Sequence, residues 1–269
     1  MVDGRVINMK SINHIVNFNL HPINVSSTYL HACKNKLKNN SVLQLNNFLL
    51  PKSLKQIQNE ANSLQSKAYY CAQNHTVLLN KKNNDLDIND PCNIEVQSDK
   101  GCVPHDLISS KSDLAQLYNS IDFIQFLESV LGVNKIYPYK DTLSSINYNY
   151  YEKDQQLGWH FDNASFAITL MIQSPDSGGI FQYINEGRDF EKNFVDKKII
   201  KSVLNDNYPV EHLTVNPGTL ILFYGRNYLH RVTPVTSEKC RILVTLNYNL
   251  EEGIELSENA RLTFFGRIK

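Results

Sequence analysis

Neither sign of charge predominates in this chain. Its 27 Lys+Arg are matched by 27 Asp+Glu, which argues against a broad electrostatic footprint for nucleic acid or an anionic membrane. No apolar run approaches the ~20 residues of a membrane span. Residues 1–20 lack the apolar core of a signal peptide, so a cytoplasmic location is expected. Cysteines are few: five, scattered, and free of C-x-x-C spacing. They read as reduced thiols rather than a disulfide framework or a zinc site. Pro/Gly/Ser-rich linkers and internal repeats are also missing, so nothing divides the chain into separate units. With 269 residues, 42% hydrophobic and 20% charged, what remains is a globular chain long enough for one large domain.

Residues 1–40 show weak periodicity and form an N-terminal extension to which no role is assigned. Within it, residues 34–40 read as a loop or a helix end. Residues 41–45 alternate enough for a short strand. A helix is expected from about Ser53, with Leu54, Ile57, Ala61, Leu64 and Ala68 at helical spacing. Residues 75–79 are a candidate strand and residues 81–91 a turn-rich loop. Residues 112–131 read as one helix stopped by Gly132. From Tyr137 onward short strands between Gly/Pro turns take over. The exception is residues 188–207, charged and irregular, expected as a helical excursion or a lid. The fold class predicted is α+β with a mainly β core: a double-stranded β-helix, or jelly roll, with N-terminal supporting helices. One domain is expected over residues 41–269, with helical support to about 136 and the jelly-roll core over about 137–250.

The chemistry concentrates in Gly158-Trp159-His160-Phe161-Asp162. His160 and Asp162 are two apart, so on a strand both face one side and Trp159 the other. His230 begins a later strand-like run. Two imidazoles and one carboxylate on one side of a metal make the facial triad of non-heme Fe(II) oxygenases, which leaves coordination positions open. His160, Asp162 and His230 are therefore the candidate metal ligands and catalytic residues. Arg241 lies on the last long strand, where a guanidinium fork suits the far carboxylate of a keto-diacid. If Arg241 points inward, so do Leu243, Thr245 and Asn247. Thr245 is a candidate cosubstrate contact and Asn247 a candidate substrate contact. Asn147 and Asn149 share one face of their strand and Tyr148 and Tyr150 the other; the pattern does not say which face is inward. Asn163, beside the triad, and His75 are further substrate-binding candidates, although a lone His is more often structural. His105 and Asp106 are adjacent, face opposite ways on a strand, and read as structural.

The order H-x-D, His, Arg resembles the Fe(II)/2-oxoglutarate-dependent dioxygenase superfamily. More of the sequence is similar to one branch of it, the radical halogenases of free amino acids and their hydroxylase relatives. The similarity lies in residues 157–163, in Gly178-Gly179 with Phe181-Gln182-Tyr183, in Pro217-Gly218-Thr219-Leu220 and in residues 225–235. Asp106 before Leu107-Ile108, Leu117-Tyr118-Asn119-Ser120 and the closing Phe264-Phe265-Gly266-Arg267 also match. It covers roughly residues 41 to 267. In that branch halogenases carry a small residue where hydroxylases carry the carboxylate ligand. Here that position is Asp162, so the site resembles the hydroxylase type. The resemblance implies Fe(II), 2-oxoglutarate and O2, with ascorbate as a candidate stimulant. It implies hydroxylation of an unactivated C–H in a small polar substrate, a free amino acid or derivative, with release of succinate and CO2. No nucleic acid or membrane partner is expected, and oligomeric state has no signature. Two other readings share the pattern. A protein or peptide hydroxylase would use the same iron site behind an open groove. A non-catalytic metal-binding jelly-roll module would have no need of Arg241.

Overall fold

The computed structural model describes residues 11–269; residues 1–10 of the extension lie outside the described residues. The described part of the extension belongs to the main core, where Ile12, Ile15, Val16 and Ile23 are buried. Helix α1 (Ser27–Asn40) starts at Ser26, whose hydroxyl accepts the Tyr29 N–H, and stops at Ser41 in the left-handed conformation. Residues 34–40 are its last two turns. Leu37 is the buried residue of that run, and the solvated remainder gives it a loop-like composition. After β1 (Val42–Leu45), helix α2 (Pro51–Leu64) begins with Pro51, whose fixed φ suits a first turn. Ile57, Ala61 and Leu64 are buried along one stripe as their spacing predicts, and Ala68 falls beyond the helix end.

Strands β2 (Tyr69–Thr76) and β3 (Glu95–Val103) pair antiparallel. The strand expected at 75–79 ends at Thr76, and the chain turns at Leu79 with φ of 59°. The single helix expected over 112–131 is two, α3 (Asp113–Tyr118) and α4 (Ile121–Leu131). Asn119 breaks it: its side-chain amide takes the Ala115 carbonyl at 2.8 Å, and Ser120 follows in extended conformation. Gly132, left-handed, ends α4 as expected. Helix α4 packs on α1.

Beyond β4 (Tyr137–Pro138) come β5 (Ile146–Tyr151), β6 (Leu157–His160), β7 (Ala167–Gln173), β8 (Phe181–Asp189) and β9 (Phe194–Val195). Helix α5 (Lys197–Leu204) precedes β10 (Glu211–Leu213), β11 (Leu220–Phe223), β12 (Tyr228–Val232) and β13 (Arg241–Leu246). Strand β14 (Tyr248–Asn249) pairs with β4, and α6 (Glu258–Phe265) closes the chain. The sheet order is β1-β11-β7-β13-β5-β3-β6-β12-β8-β10, antiparallel throughout, with β2 on β3 and β9 on β8. Curled, it is the expected jelly roll with flanking helices. Strand material starts before residue 137, because β1, β2 and β3 extend the same sheet.

Period-two alternation decides what faces the interior. Tyr148 and Tyr150 point outward under α2, where their hydroxyls donate to Glu60 and to the Ala61 carbonyl, each at 2.7 Å. Ile242 and Val244 join them in the main core. Asn149 and Tyr151 therefore face inward, as do Arg241, Leu243 and Thr245. On the opposite wall Trp159 also points outward, as expected. There it packs with Phe161, Ile184 and Leu229 against Ile200 and Val203 of α5. The segment 188–207 is thus the end of β8, β9 and α5, seated on the outer face. Covering two aliphatic side chains there contributes about 1.5–3 kcal/mol each. None of its residues lines the interior cavity, so it is not a lid over that cavity. Among the described residues no helix is long and apolar enough to cross a membrane.

Candidate functional site

His160 and His230 stand directly opposite each other in the β6–β12 ladder, with ring centroids 4.1 Å apart. Asp162 lies just past the end of β6. Its Oδ1 is 3.4 Å from His160 Nε2 and 3.5 Å from His230 Nε2. Ligand atoms about 2.1 Å from one ion and roughly 100° apart lie about 3.2 Å from each other, so the spacing suits a shared cation. The other nitrogen of each ring is committed. His160 Nδ1 lies 2.8 Å from the Gly158 carbonyl and His230 Nδ1 2.9 Å from the Tyr228 carbonyl. A carbonyl can only accept, so each Nδ1 carries the proton and each Nε2 presents a lone pair to the same point. Burial, and then the neighbouring His230, lower the His160 pKa, which keeps it a neutral ligand. The Asp162 carboxyl lies well below its ordinary range despite the opposing effect of burial, so the third ligand is ionised.

The backbone around the triad is tight. The Gly158 N–H donates to Ser98 Oγ at 2.9 Å, and Ser98 Oγ lies 2.6 Å from His75 Nε2. A Cβ on Gly158 would come within 2.7 Å of the Gln97 carbonyl oxygen. His75 Nδ1 is held by the Thr76 carbonyl at 2.8 Å, and its ring stands edge-on to His160 at 6.1 Å. His75 lines the cavity, with both nitrogens spent on holding the wall. The Asp162 N–H donates to the Gly225 carbonyl at 2.9 Å. A Cβ on Gly225 would lie 1.8 Å from Asp162 Oδ2, so only glycine leaves the carboxylate its place.

His160, Asp162, His230, Arg241 and Thr245 line one cavity of about 250 Å³. Arg241 is 2% exposed, and its Nε and one terminal nitrogen have no hydrogen-bond partner. Its guanidinium lies over the Tyr151 ring, 5.2 Å from the centroid. Burial lowers its pKa, yet a guanidinium stays charged. A buried, unpartnered cation beside an interior cavity calls for an anionic ligand. Thr245 Oγ1 receives the amides of Asn149 and Asn247 at 3.4 Å each.

Two expected substrate contacts are not brought to the cavity. Asn247 spends its amide on the Ser144 carbonyl at 2.7 Å and Asn147 Oδ1 at 3.1 Å, which turns it into a strut for the strand ends. Asn163 sits in the loop beyond β6, where its carbonyl accepts from Arg226. Asp162 and Asn163 both lie past the end of β6, and of the two only Asp162 lines the cavity. Other residues that the sequence pattern missed do line it, notably Lys100, Cys102, Asn149, Tyr151 and Phe264. Ser98, Lys100 and Cys102 share one face of β3 at period two, the signal that would have found them. His105 and Asp106 stand apart from the triad; Asp106 takes a two-oxygen ion pair from Arg267 at 2.7 and 2.8 Å.

Several solved structures share this fold. An oxidoreductase of the 2OG-Fe(II) oxygenase family from Burkholderia pseudomallei is 13% identical, covers 86% of this chain and 95% of that one, and has a TM-score of 0.54. The non-heme alpha ketoglutarate dependent epimerase SnoN from nogalamycin biosynthesis is 9% identical, with 83% and 81% covered and a TM-score of 0.57. A prolyl hydroxylase from Trichoplax adhaerens, solved with a hypoxia inducible factor peptide fragment, is 13% identical, with 86% and 92% covered and a TM-score of 0.52. At these identities the likeness is one of fold. No curated protein matches the chain in sequence. The family model described as HalD, Halogenase D, matches residues 25–261, from α1 into α6 and across the whole jelly roll. The chain belongs to the Halogenase D family and has the jelly-roll fold of the 2OG-Fe(II) oxygenases.

Proposed function

We propose that this protein is an Fe(II)- and 2-oxoglutarate-dependent oxygenase that hydroxylates a C–H bond of a small polar substrate, an amino acid or a derivative of one. The observation that carries the reading is the convergence of His160 Nε2, His230 Nε2 and Asp162 Oδ1 in the cavity that also holds the unpartnered Arg241. Two neutral imidazoles and a carboxylate suit Fe(II). Arg241 would hold the far carboxylate of 2-oxoglutarate, and Tyr151 would keep the guanidinium in place. When bound, iron with 2-oxoglutarate and O2 supplies the oxidising power, and R–H becomes R–OH as succinate and CO2 leave. The protein's part is to aim the bond, to hold the two imidazoles in one tautomer and to keep the third ligand ionised.

The family's name points to halogenation, but Asp162 points to hydroxylation. A carboxylate ligand fills the coordination position that a small residue would leave to a halide. The size of the cavity, about 250 Å³, favours a small molecule over a peptide, since drug-sized ligands take ~300–1,000 Å³. An unpartnered Arg241 speaks against a module that only binds metal. The test is to incubate the iron-loaded protein with 2-oxoglutarate, O2 and a panel of amino acids and carboxylic acids, with and without chloride. The expected result is substrate-dependent succinate release with a product one oxygen heavier, indifferent to chloride. A chlorinated product from the unaltered protein would overturn the hydroxylase reading.

A further inference from the structure

The charges of the side chains lining the cavity do not balance. Among the described residues that line it, Asp162 is the one carboxylate, and it faces the two imidazoles. Two cations line the same space, Arg241 and Lys100. Lys100 projects from β3. Its Nζ is 2.6 Å from Asn149 Oδ1 and lies over the Phe264 ring, 5.3 Å from the centroid. No ion pair joins Lys100 to a carboxylate among the described residues. Of the neutral acceptors lining the cavity, Asn149, Ser98 and Thr245 are engaged, and Gln73, Tyr151 and Thr169 carry no charge to balance a cation. Asn149 Oδ1 is taken by Lys100 itself. Ser98 Oγ holds His75 and the Gly158 N–H, and Thr245 Oγ1 receives two amides. Most of the remaining lining is apolar, with Leu157, Phe181, Phe223, Val232 and Leu243 among it.

We infer that Lys100 is the substrate's anchor and that the substrate is a small carboxylate with an uncharged body and no free ammonium, such as an N-acylated or amine-free relative of an amino acid. The inference rests on the iron and 2-oxoglutarate reading above. One keto-diacid brings two carboxylates, which the metal and Arg241 consume. Lys100 is then the remaining uncompensated charge, and a monoanionic substrate neutralises it. A charge-assisted hydrogen bond between its carboxylate and Nζ replaces water at both ends. An ammonium in the same space would lose its hydration, find no carboxylate and be repelled by Lys100. Phe264 of α6, beneath the ammonium, and Asn149 Oδ1 hold the anchor in place.

The test uses the full-length protein loaded anaerobically with Fe(II) and 2-oxoglutarate. Calorimetric titration compares norleucine, N-acetylnorleucine and hexanoate, which share a chain and differ in the amine. The two acids without an ammonium are expected to bind at least ~10-fold more tightly than norleucine. Lys100→Gln should remove that preference while apparent 2-oxoglutarate affinity stays within about twofold, and Lys100→Arg should restore most of it. Tighter binding of norleucine overturns the inference. So does failure of both acids to bind while the keto-acid is bound, or a Lys100→Gln protein that loses 2-oxoglutarate instead. Failure of the unaltered protein to bind 2-oxoglutarate would strike the functional reading itself, which the titration reports separately.

Discussion

Replacing Gly225 by alanine should disarm the metal site without touching a ligand. Gly225 does not adopt the left-handed conformation, so an added methyl costs no backbone strain. Its cost is steric. The new Cβ would lie 1.8 Å from Asp162 Oδ2 and 2.5 Å from its Cγ, where real contacts stay beyond 3.0 Å. The carboxylate must therefore move by more than ~1 Å, while metal–ligand distances tolerate only ~0.2 Å. Disturbing a partner that orients a ligand typically costs 10–100-fold in metal affinity, and displacing the ligand itself should cost at least ~100-fold. Stability should suffer little, about 1–2 kcal/mol at most, because the Asp162 side chain is 21% exposed and can swing toward solvent. Anaerobic Fe(II) titration with a urea unfolding curve on the same sample separates the two effects. In an Asp162→Gly background the methyl has nothing to strike, so the second substitution should add almost nothing. Iron affinity within twofold of the unaltered protein, or losses that simply add, would refute this account of the glycine.

Arg241→Ala should raise the 2-oxoglutarate requirement by ~10–100-fold, the worth of a charge-assisted pair, and leave Fe(II) affinity nearly unchanged; unchanged cosubstrate affinity in a concentration series would remove Arg241 from that role. Asp162→Ala should lower hydroxylation by at least ~100-fold and open a position to chloride, read as halide-dependent changes in the spectrum of the iron-loaded protein; full hydroxylase activity would reject Asp162 as a required ligand. Burial raises the Glu60 carboxyl above its ordinary value, against the opposing hydrogen bond from Tyr148. The folded protein then keeps a proton that the unfolded chain has released, so this group's contribution is greatest below pH ~4.3 and declines as pH rises through the folded value. Glu60→Gln should accordingly be more stable relative to the unaltered protein at pH 7 than at pH 4, by urea midpoints, and a difference independent of pH would contradict the assignment.

The ligands were legible because their chemistry and their spacing coincide. His160 and Asp162 are two apart, and His230, within β12, meets them because β6 and β12 pair with His230 opposite His160. Arg241 was legible for the same reason, and its alternation correctly put Leu243 and Thr245 on the inner face. Asn247 broke the inference because alternation says which way a residue points, not how far along the strand the cavity extends. Lys100 escaped notice because β3, with Asp99, Lys100 and Gly101, lacks the β-branched alternation of a buried strand. The break between α3 and α4 was hidden in a stripe of apolar residues, and one asparagine's claim on a carbonyl outweighed the stripe. Helix α5 was legible only as a helical excursion in a charged, irregular stretch, because the face of the roll it covers depended on Trp159 and Phe161, residues far away in the chain.

The central claim is that His160, Asp162 and His230 hold an iron to which 2-oxoglutarate chelates, with Arg241 at its far end. Anaerobic titration of the Fe(II)-loaded protein with 2-oxoglutarate tests it directly, through the weak visible metal-to-ligand charge-transfer band of a chelated keto-acid. The account predicts a saturable band, lost in His230→Ala and displaced to higher 2-oxoglutarate concentration in Arg241→Ala. No band in the unaltered protein, with His230→Ala binding iron equally well, would contradict it.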